Sequence, residues 1–238
     1  MVLRSGGNRA MILAAGLGTR LRPLTDHKPK ALLEWNGVPM LEHVILKLKE
    51  YGFTQIIINV HHFSEMIIDF VKQKEQFGIR IEFSQELDEP LDTGGGIAHA
   101  SWFFGNEPFL VYNVDIMSNI DLGKLYEAHI SSRAIATLAV KERVTTRSLL
   151  MSSDGLLKGW RDNRNGETIM VGESKEELIP IAFSAIHVMD PAVFNFFPAE
   201  KRFSIMPFYL DLARTRPVNL YRHEGDTWID MGKNLTVD

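Results

Sequence analysis

The chain has 238 residues, 45% of them hydrophobic, with a formal net charge of −4 and no cysteine. This charge provides no basic surface for a nucleic acid. The lack of cysteine excludes disulfides and cysteine-held metals and is compatible with the cytoplasm. Because no apolar run approaches the roughly 18 residues of a membrane span, we expect a folded core with neither nucleic acid nor membrane as a partner.

The first predicted element is a short buried strand at residues 11–15, which leads into a glycine-containing loop. Gly16 and Gly18 leave backbone N–H groups uncovered and permit positive φ, so a phosphate chain can approach the main chain closely. Arg20 and Lys30 follow, and they would surround such a chain with positive charge. The spacing matches neither of the two best-known phosphate-binding loops, so the glycines alone are equally compatible with a tight strand-to-helix turn.

Strands and helices then alternate up to residue 114. The predicted strands are 55–60, 79–84 and 108–114. The predicted helices are 40–51 and 64–77, the latter with Ser64 as its cap. Residues 93–104 are predicted to form a second glycine-rich loop that enters a helix. This alternation implies right-handed crossovers and a mainly parallel sheet with helices on both faces. Such sheets bind ligands at the carboxyl ends of their strands.

The pattern is less regular beyond residue 121. It predicts a helix at 122–131, a strand at 135–141, short strands and turns to about 188, and helices near 191–197 and over 205–213. No linker or repeat divides the chain, so we predict a single domain over residues 10–238 with two lobes, about 10–121 and about 122–238. Residues 1–9 are expected to be an extension or a cloning remnant.

Two apolar segments each end in an aspartate, Asp115 and Asp230. An aspartate at the end of a strand can form a turn, cap a helix or bind a metal, and the residues alone leave these alternatives open. The adjacent histidines His61 and His62 do not suggest a metal site, because neighbouring side chains of a strand point to opposite faces.

The sequence LAAGLGTRLRPLT, followed by KPKALL and then by Gly37-Val38-Pro39, resembles the signature of the sugar-1-phosphate nucleotidyltransferases. The resemblance implies an α/β fold with a Rossmann-like mixed, mainly parallel sheet, as in GT-A-like proteins. It also implies that a sugar 1-phosphate attacks a nucleoside triphosphate and that pyrophosphate leaves. With NVHH, EPLDTGGGI and EPFLVYNVD, the chain is most similar to bacterial uridylyltransferases that act on N-acetylmuramic acid 1-phosphate.

The same resemblance assigns roles to individual residues. Asp115 and Asp230 match the family's strand-end aspartate and WxDxG box, which hold Mg²⁺. The predicted catalytic residues are Arg20, Lys30 and Asp115. Arg20 would bind the β- and γ-phosphates, and Lys30 would contact the α-phosphate or the incoming sugar phosphate. The first lobe would bind the nucleotide, and the predicted nucleotide-binding residues are Ala14, Ala15, Gly16, Gly18, Thr19, Arg20, Gln85, Gly94, Gly95 and Gly96.

The second lobe would close over the sugar, with Asn113, Glu173 and Ser184 as predicted substrate-binding residues. Each has a simpler interpretation, as a turn residue, a solvated loop acid and a strand-edge hydroxyl respectively. Val114 and Ala185 stand where the family often has glycine, and each adds a side chain near the expected sugar pocket.

The expected partners are therefore a nucleoside triphosphate, UTP first, and a sugar 1-phosphate, with Mg²⁺ as cofactor. Guanylyl, thymidylyl or cytidylyl transfer to another hexose or heptose 1-phosphate, or to phosphocholine, stays open. A further alternative is a non-catalytic subunit that senses a nucleotide sugar. The sequence indicates no oligomeric state.

Overall fold

A computed structural model describes residues 8–173 and 176–234. The helices are α1 (Met40–Glu50), α2 (Ser64–Gln73), α3 (Asp92–His99), α4 (Leu122–Ser132), α5 (Ile205–Leu212) and α6 (Met231–Asn234). The strands are β1 (Asn8–Leu13), β2 (Glu34–Trp35), β3 (Val38–Pro39), β4 (Phe53–Val60), β5 (Arg80–Gln85), β6 (Phe109–Asn113), β7 (Ile116–Ser118), β8 (Ala136–Lys141), β9 (Arg147–Met151), β10 (Leu157–Asp162), β11 (Thr168–Met170), β12 (Ile179–Met189), β13 (Val218–Arg222) and β14 (Trp228–Asp230). Short 3-10 turns lie at Thr19–Leu21, Lys30–Leu32, Glu75–Gly78, Ser101–Phe103 and Pro191–Phe196.

Within the described part of the chain, ten strands form one sheet with the order β11-β10-β9-β12-β6-β1-β4-β5, and β8 pairs with β12 and β13. Strand β1 is parallel to both β4 and β6, whereas β12 is antiparallel to β6. The chain runs from β1 to β4 and β5 on one side and then returns to β6 on the other. The strand order therefore reverses between β1 and β6, which is where open α/β sheets bind ligands.

The central strands are buried on both faces of the sheet. In β1, Ile12 packs into one hydrophobic core and Met11 into the other, because adjacent side chains point to opposite faces. Helices α1, α2 and α4 cover the first core, and α3 and α5 cover the second. Burial on both faces explains why these strands have continuous apolar sequences rather than alternating ones.

The predicted alternation of the first half is present, but several local predictions are wrong. The first strand is β1 at Asn8–Leu13 rather than 11–15, so Asn8 and Arg9 belong to the sheet and not to an extension. Helix α2 ends at Gln73 rather than at 77, because Gln76 and Phe77 have left-handed backbone angles, with φ of 51° and 55°. The predicted Ser64 cap is also wrong. Phe63 occupies the N-cap position with φ of 56°, and no side chain caps the helix.

The residues after 121 extend the same sheet through β8 to β13. The helix predicted near 191–197 is a 3-10 turn, Pro191–Phe196, whose first turn is capped by the Asp190 carboxylate accepting from Ala192 N at 2.8 Å. The division into two functional lobes stays a prediction. No helix in the described ranges is both long and apolar enough to cross a membrane.

A two-stranded ribbon of β7 and β14 lies outside the main sheet. Asp230 in β14 pairs with Ile116, which directly follows Asp115, and Met231 N donates a hydrogen bond to the Asp115 carbonyl oxygen at 2.9 Å. The ribbon therefore brings the two aspartates together although half of the chain separates them.

Candidate active site

A cleft of about 250 Å³ opens at the carboxyl ends of β1 and β6, where the strand order reverses. It is bounded by the end of β4, the loop after β5, the start of α3 and the signature loop, which we define as residues 14–22. The lining residues are Leu13, Ala14, Ala15, Gly16, Arg20, Lys30, Asn59, Glu86, Pro90, Asp92, Thr93, Asn113, Val114 and Asp115.

The backbone conformation of the signature loop requires glycine at position 18 but not at position 16. Gly18 has φ of 64° and precedes the turn Thr19–Leu21, in which Leu21 N donates to Gly18 O at 2.8 Å. A β-carbon on Gly18 would also lie 2.9 Å from Thr25 Cγ2. At Gly16 a β-carbon would meet nothing within 4 Å, so the main chain there faces open space. An open main chain at the cleft mouth suits a ligand that approaches backbone N–H groups.

A second cavity, which we call the loop recess, adjoins the cleft and has a volume of about 350 Å³. The cleft and the recess share Gly16, Arg20, Lys30, Pro90 and Asp92. The recess adds Leu17, Gly18, Thr19, Leu21, Arg202 and Gly232. The predicted nucleotide-binding residues of the signature loop therefore line one or both of two connected spaces.

Lys30, Asp115 and Asp230 meet at the edge of the cleft. The Lys30 ammonium forms a short ion pair with Asp115 Oδ2, and both side chains are mostly buried. A β-carbon on Gly232 would lie 2.8 Å from Asp115 Oδ2, 2.9 Å from Lys30 Nζ and 3.0 Å from Asp230 Oδ1. These three groups therefore surround a single point, and the glycine of the WxDxG box leaves room for them.

The residues at this point fit a magnesium ion. Mg²⁺ prefers hard oxygen ligands and commonly takes one or two protein carboxylates, with water and substrate phosphates completing the shell. In the described part of the chain no group of three or more histidine, cysteine, aspartate or glutamate side chains could hold a metal. A cation, the Lys30 ammonium, already lies on Asp115. The carboxylates that could contribute to such a site are those of Asp115 and Asp230, which both lie beside Gly232.

A buried hydrogen-bond network fixes the start of the signature loop. Ala14 N donates to Asn59 Oδ1 at 2.7 Å, and Asn59 Nδ2 donates to Glu86 Oε1 at 2.7 Å. The other oxygen of Glu86 accepts from Leu91 N at 2.8 Å. The role of Asn59 is not predicted from the sequence, where the signal for it is a polar residue between two apolar ones at the end of a strand. Both side chains line the cleft.

The three glycines predicted to form a loop lie inside helix α3 and are buried. Their close neighbours are protein groups: the ring of Phe203 at Gly94, the carbonyl of Lys201 at Gly95, and the Asn59 and Glu86 side chains at Gly96. The prediction of a loop here is therefore wrong, and protein packing accounts for the missing side chains. Direct nucleotide contact by Gly94, Gly95 and Gly96 stays a prediction.

Gln85 lies at the end of β5 and is exposed. It lines a different cavity from the cleft, one that it shares with His99 and Lys201 on the other flank of α3. Its neighbour Glu86 is buried and lines both this cavity and the cleft. Recognition of the nucleobase by Gln85 stays a prediction.

The three predicted substrate residues lie in different environments. Asn113 lines the cleft beside Asp115. Ser184 is fully buried in β12, with its hydroxyl 2.7 Å from His223 Nε2, and is absent from the cleft lining. Glu173 is exposed in the loop after β11. The structure therefore brings Asn113 to the cleft and leaves Ser184 and Glu173 outside it.

Both departures from the family pattern have structural consequences. Val114 is buried and lines the cleft. Ala185 has φ of 57°, in the left-handed region that favours glycine, and it lies at an irregularity in the pairing of β12 with β8 between Phe183 and His187. Ala185 therefore adopts a backbone conformation that glycine usually occupies.

Arg143 is a further residue near Asp230 that sequence reasoning missed. Its guanidinium lies 3.8 Å from the ring of Trp228 and donates to the Phe183 carbonyl at 2.9 Å. Burial lowers the pKa of Arg143, and the Asp230 carboxylate opposes that shift. Because Trp228 is in the same strand as Asp230, these contacts hold β14 against β12.

A family model described as nucleotidyl transferase matches residues 9–148. The chain belongs to this family. Two curated relatives are N-acetylmuramate alpha-1-phosphate uridylyltransferases, one from Caulobacter vibrioides and one from Neisseria meningitidis serogroup B. The former is 31% identical and covers 91% of both chains; the latter is 31% identical and covers 94% of this chain and 93% of the relative.

The fold of this nucleotidyltransferase also has solved counterparts. The crystal structure of HddC from Yersinia pseudotuberculosis complexed with GMP-PN aligns with a TM-score of 0.74 and 24% identity, covering 95% of each chain. The predicted α/β fold class is confirmed. The predicted membership of the sugar-1-phosphate nucleotidyltransferases, enzymes of the EC 2.7.7 type, is confirmed as well.

The geometry of the site suits the chemistry of this family. Joining two phosphorylated substrates requires two anions to meet, so the enzyme must position them and neutralise their charge. Arg20 and Lys30 supply cations beside an open main chain, and two carboxylates at the same edge can hold a divalent ion. The cleft therefore combines the features needed to bring two phosphates into contact.

Proposed function

We propose that this nucleotidyltransferase joins UTP to N-acetylmuramic acid 1-phosphate, forming the UDP-sugar and releasing pyrophosphate. The preference for this pair is supported by the two full-length relatives that carry that name, each 31% identical. The charges at the cleft support transfer between two phosphates.

The observation that carries the proposal is the meeting of Lys30, Asp115 and Asp230 around Gly232. In the reaction, a phosphate oxygen of the sugar 1-phosphate attacks the α-phosphorus and forms a new P–O bond. The bond from the α-phosphorus to the bridging oxygen breaks, and pyrophosphate leaves with that electron pair. No covalent protein intermediate is needed.

Each residue of the site has a role in this scheme. Arg20 would bind the phosphates that leave, and Lys30 would hold the α-phosphate against the incoming sugar phosphate. Asp115 and Asp230 would hold Mg²⁺, which when bound neutralises charge on the phosphate oxygens. Asn59 fixes Ala14 N at the cleft, so the nucleotide would meet a main chain that is already in place.

The test is a pyrophosphate-release assay with Mg²⁺. UTP, dTTP, GTP, CTP and ATP are each combined with N-acetylmuramic acid 1-phosphate, N-acetylglucosamine 1-phosphate, glucose 1-phosphate, mannose 1-phosphate, a heptose 1-phosphate and phosphocholine. We expect the highest kcat/KM for UTP with N-acetylmuramic acid 1-phosphate. Chelation of the metal should abolish turnover.

A higher kcat/KM for another pair would overturn the proposed substrates but leave the reaction type in place. No turnover in the whole panel, combined with tight binding of a UDP-sugar, would favour the non-catalytic sensor. Arg20, Lys30, Asp115 and Asp230 are all present, which argues against that alternative.

A further inference from the structure

We propose that Arg202 is a second phosphate-binding arginine, which contacts the terminal phosphates of the nucleoside triphosphate and the pyrophosphate formed from them. This inference rests on the proposed function and adds a residue to its nucleotide site. Arg202 lies in a charged stretch of the second half of the chain that matches no phosphate-binding motif. Its role follows from its place in the fold.

Arg202 lines the loop recess together with the signature loop. A triphosphate whose α-phosphate lies beside Lys30 and Asp115 can extend along Gly16 and Arg20, which are shared by the cleft and the recess. Its terminal phosphates would then lie in the recess, where Arg202 is a lining residue that supplies a further cation.

The backbone beside Arg202 is held firmly by helix α3. Phe203 O accepts hydrogen bonds from Gly94 N at 2.9 Å and Gly95 N at 3.1 Å, and Phe203 N donates to Leu91 O at 3.3 Å. Ile205 N adds a hydrogen bond to Thr93 Oγ1 at 3.0 Å. The main chain of Arg202 is therefore fixed relative to the cleft.

The side chain of Arg202, by contrast, can change partner at little cost. It is 61% exposed, and its partner Glu89, also 61% exposed, lies 3.4 Å away. Exposed ion pairs of this kind contribute little free energy. A phosphate in the recess can therefore replace Glu89, since a charge-assisted hydrogen bond from arginine to phosphate is stronger.

The charges that line the recess favour an anion on this side. Its cationic side chains are Arg20, Lys30 and Arg202, and its carboxylate is that of Asp92. Lys30 is already paired with Asp115. The Asp92 carboxylate accepts from Thr93 N at 2.6 Å, at the base of α3. Arg20 and Arg202 are therefore the recess cations that are not held in a mostly buried ion pair, since the pair of Arg202 with Glu89 is exposed.

The experiment measures binding rather than turnover. Calorimetry with inorganic pyrophosphate, UTP and UMP is carried out on the wild-type protein and on Arg202→Gln. Arg202→Gln should weaken binding of pyrophosphate and of UTP by about tenfold and leave UMP unchanged, because UMP has no distal phosphates. In turnover assays the KM for the triphosphate should rise by a similar factor, with the KM for the sugar phosphate unchanged.

Lys201→Gln is the matched control, since it removes the same charge from the adjacent residue, which lines the cavity on the other flank of α3. It should change none of the three affinities. Glu89→Gln should tighten pyrophosphate binding by about twofold, because it frees Arg202 from its partner.

The proposal is overturned if Arg202→Gln leaves pyrophosphate affinity unchanged, if Lys201→Gln weakens it equally, if UMP binding falls by the same factor, or if the wild-type protein does not bind pyrophosphate. Failure of the proposed function has a different signature. In that case no substrate pair turns over while pyrophosphate binding still depends on Arg202.

Discussion

Lys30 shows how one residue acquires a role through its surroundings. In sequence it is a lysine between a proline and an alanine, and most such lysines are solvated. In the fold it begins the turn Lys30–Leu32 and its ammonium contacts Asp115 at the end of β6. The buried pair is a pre-formed charge arrangement, and removing either partner leaves the other uncompensated at the cleft.

Substitution of Lys30 or Asp115 should therefore reduce catalysis strongly. We expect Lys30→Ala and Asp115→Ala each to lower kcat by at least roughly a hundredfold, as for loss of an electrostatic stabiliser. Lys28→Ala is the control, since Lys28 is half-buried and pairs with Glu34 at 3.8 Å, away from Asp115. Steady-state kinetics on variants with a native circular dichroism spectrum provides the measurement, and a near-wild-type rate in either variant would refute the assignment.

A second prediction concerns the left-handed backbone conformation of Ala185. Its left-handed backbone costs about 1 kcal/mol for a residue with a β-carbon, whereas glycine avoids that cost but loses about as much through unfolded-chain entropy. Ala185→Gly should therefore change the free energy of unfolding by less than about 0.5 kcal/mol. Ala182→Gly, in the regularly paired and buried part of β12, should lose about 1 kcal/mol or more. Urea denaturation compares the two, and equal losses would show that the strain at Ala185 is absent.

At the scale of elements, helix α3 joins the two halves of the chain. Glycines are unfavourable inside a helix, yet three occur in its first turns. Each allows a close contact: Gly94 and Gly95 with residues 201–203, and Gly96 with the Asn59–Glu86 pair. The helix therefore supports both the network that holds Ala14 and the segment that carries Arg202.

The stability of this contact can be tested at Gly95. A β-carbon there would clash with the Lys201 carbonyl oxygen, so Gly95→Ala should destabilise the fold by about 1–3 kcal/mol despite alanine's higher helix propensity. Gly16→Ala, where a β-carbon meets nothing within 4 Å, should leave the free energy of unfolding nearly unchanged. Chemical denaturation of both variants supplies the comparison. A stabilised Gly95→Ala protein would contradict the packing described for α3.

At the scale of the whole molecule, two buried histidines, His129 and His187, contribute to the dependence of stability on pH. His187 is fully buried, and neither ring nitrogen has a hydrogen-bond partner among the described residues. Burial lowers the pKa of His187 from 6.5 to about 3 and that of His129 from 6.5 to about 4. Between these values and 6.5 the unfolded chain binds protons that the folded protein does not, so stability falls as the pH falls.

We therefore expect the free energy of unfolding to decrease on acidification from about pH 6.5 towards pH 4, by up to about 1.4 kcal/mol per pH unit for each histidine. His187→Phe retains the stacking with Phe183 and removes the titrating ring, so the slope should become shallower. Urea midpoints measured at about pH 7 and about pH 5 test this expectation. An unchanged slope in His187→Phe would exclude His187 as a source of the acid sensitivity.

The sequence by itself determined the parts of this protein that are encoded locally. Continuous apolar runs specify central strands, and Met40–Glu50 is recognisable as a helix from its 3.6-residue periodicity. The glycine loop with Arg20 and Lys30, and the aspartates at the ends of apolar segments, are likewise visible because strand ends in an α/β sheet gather at one edge. These features can be inferred either from residues that are adjacent in the sequence or from one simple rule about where strands end.

Tertiary structure alone decided which distant residues meet. The Asn59–Glu86 network, the packing of Gly94 to Gly96 against residues 201–203 and the place of Arg202 in the loop recess all depend on contacts between segments far apart in the chain. Gln85 and Glu86 illustrate the limit, because only packing decides that Glu86 is buried and reaches the cleft while Gln85 stays exposed in the neighbouring cavity. Local pattern specifies elements, whereas the meeting of charges in a site follows from how those elements pack.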